Sequence, residues 1–356
     1  MPEVRIEEST RFMVDSLKAV GTPESEAKAQ TDMLIHADIV GHVSHGLNRL
    51  EFYINDIITK ATNPNGKPMI LKETAATAWV DGADALGATV GNYCMDVAIR
   101  KAKENGIGFV TCKRSNHFGM AGYWALKAEK QGLIGMAFTN SSPLLVPTRA
   151  KEAALGTNPI SLACPAGNGD NLVVDLASTA VAMGKIEIQI QKQESIPPGW
   201  ALGPDGKTTT DAQLAFDTSR LLPLGGFEET SGYKGYALSA LVEVLCSGLS
   251  GSRSSPNICP WEVAGNYEPT DLGQCFIVIN PECFAPGFTE RIAQCLHHWR
   301  NMEPVDPALP VLAPGDKERI TAEMNHSKGT ITYAQKQYER YANMAKRIGV
   351  KPLQAV

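Results

Sequence analysis

The sequence predicts a mixed α/β protein with helical ends, on three observations. The first 65 residues carry apolar positions at helical spacing. Residues 75 to 176 break into short β-rich runs bounded by glycine, asparagine and proline. Residues 286 to 346 return to helical spacing with one polar side. A length of 356 residues with 43% apolar composition suffices for one large unit or two ordinary ones without disulfide staples.

The elements follow in order. Phe12, Met13 and Leu17 set the apolar side of a first helix that stops at Gly21, and Thr22 with Pro23 reads as the N-cap and first-turn proline of a second, running to about Val40. A third helix begins near Ser44, because Leu47, Leu50, Ile54, Ile57 and Ile58 recur at helical spacing, and ATNPNGKP ends it. The runs ATAWVDG, GIGFVTC, LIGMAFTN, PISLACP and LVVDLA read as strands. Between the second and third of these, FGMAGYWALKAEKQG reads as a helix, the order of a crossover unit. Turn-rich residues 192 to 212 precede YKGYALSALVEVLCSGL, a helix apolar on nearly every face and therefore expected to be buried. There is no internal repeat. The expected division is a helical domain from residues 1–70 with 287–356, and an α/β domain from 71–286.

Charge and composition exclude several classes. The net charge of −5 is spread along the chain without a basic run, against nucleic acid as a partner. No apolar stretch reaches the roughly 18 to 20 residues of a membrane helix, and MPEVRIEEST has no signal core, so a cytoplasmic location is expected. Eight cysteines show no CxxC pair and are expected as reduced, mostly buried thiols.

Three stretches hold chemistry. In GHVSHGLNRL, residues 41 to 50, His45 and Arg49 share a helical face roughly 130° or more from the centre of the apolar stripe. With Ser44 as N-cap, His45 would sit in the first turn, where the helix dipole and Arg49 both favour neutral imidazole. A neutral histidine beside an arginine suits proton exchange with a hydroxyl while the arginine grips a carboxylate, although a capped, solvated helix start has the same spacing. His117, in SNHFG, lies at the carboxyl end of a strand and before a helix, where α/β sheets bind ligands, although a histidine satisfied by backbone fits there too. LGTNPIS and VVDLASTAVAMGK each end a strand with small and polar residues, and Asp175 can accept hydrogen bonds from a ribose or orient a base. No GxGxxG follows any strand, and GPDGKT is two residues short of a phosphate loop. His36, His42 and His45 match no zinc spacing, so no metal is expected.

Together, SHGLNRLEFY, SNHFG, TNSSPL, LGTNPIS, DLASTAVAMGKI, GWALGPDGKTTTD, LPLGG with YKGYALSALVEVL, and APGDKE stand in the order seen in the type-2 malate/L-lactate dehydrogenase family. The chain resembles that family from residue 44 to 318. The resemblance implies a non-Rossmann NAD(P)-binding fold with a mixed sheet between helices, assembled as a homodimer, and hydride transfer between NAD, or NADP, and a small 2-hydroxy or 2-oxo acid, malate/oxaloacetate first. It also implies roles. His45 resembles the proton donor with Ser44 behind it, Arg49 the carboxylate holder and Thr157 a substrate contact. His117, Phe118, Gly119, Met120 and Ala121 resemble a nicotinamide-side segment, with His117 the rival proton carrier in some relatives. Val174, Asp175, Leu176, Ala177 and Ser178, then Tyr233 with Lys234, and Gly315, Asp316 and Lys317 resemble cofactor-binding stretches. Lys185 replaces the aspartate of imine-reducing members, which favours hydroxy-acid chemistry and places a cation near the second substrate group. Alternatives are a diketogulonate, sulfolactate or ureidoglycolate activity, or a silent NAD(H)-binding relative. VPTRAKE (146–152) lacks a glycine pair common in relatives, and SGSRSSPNICPW (250–261) differs from their small-residue loop.

Overall fold

Each β-rich run becomes a strand and each helical stretch a helix in the computed structural model, which describes residues 1–261 and 264–356. In chain order the elements are β1 (Glu3–Arg5), α1 (Ile6–Ala19), α2 (Glu24–Ile39), α3 (Leu50–Ile58), β2 (Met69–Glu73), β3 (Thr77–Asp81), α4 (Gly87–Asn105), β4 (Ile107–Ser115), α5 (Ala121–Glu129), β5 (Ile134–Thr139), β6 (Ile160–Gly167), β7 (Asp170–Leu176), α6 (Met183–Lys192), β8 (Ala201–Leu202), β9 (Thr208–Thr209), α7 (Ala212–Thr218), α8 (Gly232–Glu243), β10 (Leu272–Ile279), α9 (Phe288–Arg300), α10 (Asp316–Lys328), β11 (Thr330–Thr332) and α11 (Gln335–Ile348).

Among the described residues a seven-stranded sheet runs β2-β3-β4-β10-β5-β6-β7. Only β3 and β4 pair in parallel; the other neighbours are antiparallel. The β4–α5–β5 unit exists, but its strands do not touch. β10 lies between them, with Phe276 opposite Val110 on one side and Ala137 on the other. A strand that arrives more than a hundred residues later leaves no local mark on the crossover sequence.

One apolar core joins the helical ends to the sheet. Phe12, Leu34, Leu50, Val110, Trp124, Phe276, Tyr341 and Met344 belong to a single buried cluster. Trp124 is fully buried and its ring N–H donates to Phe118 O at 2.9 Å. Gly91 makes room for it, since a Cβ there would lie 2.8 Å from the indole. A mid-helix glycine costs about 1 kcal/mol against alanine, less than the overpacking it avoids. Strands β1 and β11 pair, so the two chain ends meet, and α9 lies against β6 and β7. Of the cysteines, 94, 112, 164, 246 and 275 are buried, and all eight are free.

Three expectations need correction. Pro23, not Thr22, caps α2, and the Thr22 hydroxyl has no partner among the described residues. The third helix starts later than Ser44: residues 43–46 are turns, 47–49 a 3-10 segment, and α3 begins at Leu50. Ser44 is therefore not an N-cap, and the dipole of α3 does not set the charge of His45. Finally, α8 and the turn that follows it are not buried all round. Tyr233, Tyr236, Leu241 and Val244 are 49%, 37%, 47% and 62% exposed, which leaves an apolar stripe open on this chain. An all-round apolar pattern cannot distinguish cover by the chain's own core from a face left at the surface.

Candidate active site

The turn that carries Ser44 and His45 is held from beneath. Asp38, buried on α2, accepts from Leu47 N at 2.9 Å and from the Tyr333 hydroxyl at 2.9 Å through Oδ2. Gly46 presses on the same carboxyl so closely that a Cβ would fall 1.8 Å from Oδ1. Only glycine fits. Above this support the Ser44 hydroxyl lies 2.8 Å from His45 Nδ1, and Arg49 Nε donates to Ser44 O at 2.7 Å. The Arg49 guanidinium lies 5.1 Å from the centre of the Phe52 ring and 3.8 Å from Glu187, and it borders a cavity of about 370 Å³. Loss of hydration, with the Arg49 charge and His42 adding to it, pushes His45 down to about 3. The imidazole is neutral, as expected, with Arg49 contributing as expected and burial standing where the helix dipole was expected.

His117 joins this group from the end of β4. Its ring is near-parallel to His45 at 6.0 Å between centres and stacks on Trp261 at 4.3 Å. Its Nδ1 lies 2.6 Å from the Tyr53 hydroxyl and 3.2 Å from Gly119 N. A backbone N–H only donates, so Nδ1 accepts, the Tyr53 hydroxyl donates too, and the proton of neutral His117 stands on Nε2. Desolvation, then His45 and Arg49, hold His117 well below the ordinary histidine range. The turn behind it is fixed by amides: Ser115 Oγ donates to Gln274 Oε1, Gln274 Nε2 to Asn116 O, and Asn116 Nδ2 to Ala85 O.

Lys185 reaches the same neighbourhood through its backbone. A Cβ on Gly184 would lie 2.5 Å from Ser44 Cβ, so the first turn of α6 rests on the histidine turn, and Lys185 is exposed beside it. Thr157 contributes backbone: its carbonyl accepts from both N and Oγ of Ser178 at 2.8 Å.

A groove of about 500 Å³ adjoins the end of β7, within the range of small-molecule and cofactor sites. Met120, Val174, Asp175, Leu176 and Gly315 line it, together with His42, Glu318 and Arg319. Asp175 accepts from Gly122 N at 2.9 Å, and loss of hydration raises its carboxyl to about 6. Gly315, at φ 96, precedes α10 and packs against Val173, where a Cβ would lie 3.0 Å from Val173 Cβ; the N-terminus of that helix borders the groove. A carboxylate able to accept from a ribose, beside the apolar side chains of Met120, Val174 and Leu176, fits the ribose end of a nicotinamide dinucleotide.

Other expected residues stand apart. Phe118 is fully buried, stacked on Trp124, and Ala121 is buried with it. Ser178 is buried, and the Asp316 carboxylate is bound by Arg300 at 2.8 and 2.7 Å, which leaves Lys317 exposed at the start of α10. Ala177 follows the groove-lining Leu176, half-buried. Tyr233 and Lys234 lie on the exposed face of α8, outside the groove lining. Conversely, the sequence reading passed over Asp38, Tyr53 and Trp261. Tyr53 was readable, because it continues the spacing of four that links His45 to Arg49. Asp38 and Trp261 gave no such signal.

The profile of the malate/L-lactate dehydrogenase family matches residues 4–341. The chain is 39% identical over 345 residues to a malate dehydrogenase of Pyrococcus horikoshii, covering 96% of this chain and 94% of that protein. It is 37% identical to an L-sulfolactate dehydrogenase of Methanocaldococcus jannaschii, with 88% of each covered. The solved structure of the Pyrococcus horikoshii malate dehydrogenase superposes with a TM-score of 0.90 at 36% identity, over 99% of this chain and 97% of that one. With a fold, a histidine–arginine site and a match along nearly its whole length in agreement, the chain belongs to the malate/L-lactate dehydrogenase family and is a hydroxy-acid dehydrogenase.

Proposed function

We propose that the enzyme interconverts malate and oxaloacetate with NAD, at the site formed by His45, Arg49 and His117. The observation that carries this reading is the meeting of a neutral His45 with Arg49 on one half-buried, braced turn. In the oxidation direction, neutral imidazole is the form able to take the proton of the substrate hydroxyl. His45 takes it at Nε2 while its Nδ1–H donates to Ser44, and returns it during reduction. Arg49 holds the C1 carboxylate. That carboxylate also offsets the guanidinium charge that depresses His45, so substrate binding raises the proton affinity of the base when it is needed. The Nε2–H of His117 supplies a second donor to the developing carbonyl oxygen. A bound nicotinamide supplies the hydride acceptor, and the chain orients it.

Malate is favoured by Lys185, an exposed cation beside Ser44 with no ion pair among the described residues, which suits a second carboxylate or, in the sulfolactate reading, a sulfonate. NAD is favoured over NADP by Asp175 and Glu318 in the groove, which would repel a 2′-phosphate, while Arg319 is engaged by Asp170 at 2.9 Å. Thr157 and the segment from His117 to Ala121 would flank the substrate and nicotinamide ends. The open stripe of α8, with Tyr233 and Lys234 on it, supports a homodimer, and no helix among the described residues is long and apolar enough to cross a membrane. Steady-state oxidation of NADH and NADPH against oxaloacetate, pyruvate, sulfopyruvate and diketogulonate tests cofactor and substrate together. Faster turnover of NADPH, or of sulfopyruvate, would replace those terms of the reading, and binding of NADH without any turnover would replace catalysis by a silent role.

A further inference from the structure

The segment 250–261 ends on a side chain that the reaction scheme leaves unused. The indole of Trp261 lies 4.3 Å from the His117 ring at 26°, 5.2 Å from Tyr53 and 4.9 Å from Phe52, the ring beneath Arg49. Its ring N–H donates to Asp56 Oδ2 at 2.7 Å, and the other oxygen of this buried carboxyl accepts from Asn266 N at 2.8 Å. One carboxyl therefore pins both flanks of the loop to α3. Gly265, at φ 88, lets the loop backbone approach so closely that a Cβ would lie 2.9 Å from Asn55 C. An isolated indole on a surface loop would be free to turn away. This one is fixed by a hydrogen bond and three ring contacts, spanning the gap between the histidine that faces the carbonyl and the ring that carries the arginine.

We propose that Trp261 is a specificity-determining residue: its indole is the wall that limits the bulk at C3 of the 2-oxo acid held between His117 and Arg49. The assignment rests on the reading of the site as a 2-oxo acid reductase. A flat, immobile wall admits the slim carbon chain of pyruvate or oxaloacetate and rejects a branched one, and a hydrophobic boundary discriminates by roughly 10- to 200-fold for each methylene that does not fit.

The test compares wild type, Trp261→Phe, Trp261→Ala and Asp56→Ala in NADH-dependent reduction of pyruvate, 2-oxobutyrate, 2-oxoisocaproate and phenylpyruvate, with NADH affinity measured by fluorescence titration. The ratio of kcat/KM for 2-oxoisocaproate over pyruvate should rise on the order of 10-fold or more in Trp261→Ala. It should rise less in Trp261→Phe, which keeps a ring, and to an intermediate degree in Asp56→Ala, which frees the indole without removing it. NADH affinity should stay near wild type in all three. If Trp261→Ala does not fold, the ratios of the other two variants decide. Uniform loss across the series with unchanged ratios would overturn the assignment of Trp261 alone. A wild type silent on every 2-oxo acid would overturn the reading of the site, and the wall with it.

Discussion

The two histidine-bearing turns reach one site by different means. The turn at His45 rests on an ionisable, buried carboxyl, Asp38, and the ring meets a serine hydroxyl that can donate or accept. The turn at His117 rests on the neutral amides of Asn116 and Gln274, and its Nδ1 receives two donors, which leaves one tautomer. In the proposed mechanism His45 is thus free to exchange its proton through Nε2 while Ser44 adjusts, whereas His117 serves as a donor. On the proposed reading, two histidines 6.0 Å apart, ring centre to ring centre, are divided into a carrier and a fixed polariser by what stands behind them.

The largest expected effect breaks that division directly. His45→Gln should lower turnover roughly 100- to 10,000-fold, the usual contribution of a general base, while NADH affinity stays near wild type. His117→Gln keeps a donor and should cost less in turnover but disturb cofactor affinity more, because Gly119 loses its acceptor and the segment to Ala121 shifts. A reversed pattern in the two variants would exchange their roles.

Next in size is the carboxylate grip. Arg49→Gln removes a charge-assisted contact of about 1.5 to 3 kcal/mol, so kcat/KM for a 2-oxo acid should fall roughly 10- to 200-fold. Lysine should rescue only in part, since it lacks the planar fork. The amide of the same 2-oxo acid is the control. Equal losses on acid and amide would mean that Arg49 serves the fold, through Ser44, and not the substrate.

Tyr53→Phe sharpens the assignment of the tautomer. The ring and its packing remain, the hydroxyl hydrogen bond goes, and Gly119 N alone holds Nδ1. One hydrogen bond is worth roughly 0.5 to 1.5 kcal/mol, so kcat should drop about 2- to 10-fold with NADH affinity unchanged. Nitrogen NMR of histidine-labelled protein should report Nε2–H on His117 in wild type and a mixture in the variant. A wild-type Nδ1–H signal would refute the lock.

Much of this was legible in the chain. Strand runs such as GIGFVTC and PISLACP declare themselves because alternation and bounding glycines are local properties, and Ser44, His45 and Arg49 fall close enough in sequence to be read as one group. What escaped depends on distant partners. β10 is recognisable only once β4 and β5 leave a gap for it, and the α8 stripe reads as core because periodicity counts apolar residues without saying what covers them. Asp38 looks like an ordinary helix-end acid until Tyr333, some 300 residues on, and Gly46 close over it. The early start assigned to α3 arose from the same limit: Leu47 and Leu50 keep helical spacing, but the chain between Val43 and Gly46 is tied down by Asp38 in turns.

The smallest effect concerns the support beneath His45, the one feature that distinguishes its turn in kind from that of His117. Burial raises the Asp38 carboxyl to about 7, against 3.8 for an ordinary aspartate, and the bonds from Leu47 and Tyr333 only partly oppose this. Between those two values the folded protein holds a proton on Asp38 that the unfolded chain has released. Stability therefore falls as pH rises through this window, and the loss is complete above the folded value. Asp38→Asn keeps an acceptor for Leu47 N–H and cannot ionise. The difference in unfolding free energy, wild type minus Asp38→Asn, should accordingly shrink by about 1 kcal/mol between pH 6 and pH 7, read from urea unfolding of both proteins in parallel. Subtracting the variant removes the common contributions of the histidines and of Asp175. The reaction should register the same change, as a fall in kcat for wild type over that interval that Asp38→Asn does not show, because ionising the buried carboxyl alters the support beneath the His45 turn. A difference that grows with pH would mean that Asp38 is ionised when folded and gains from it, and the contrast between a titrating and a non-titrating support would be lost.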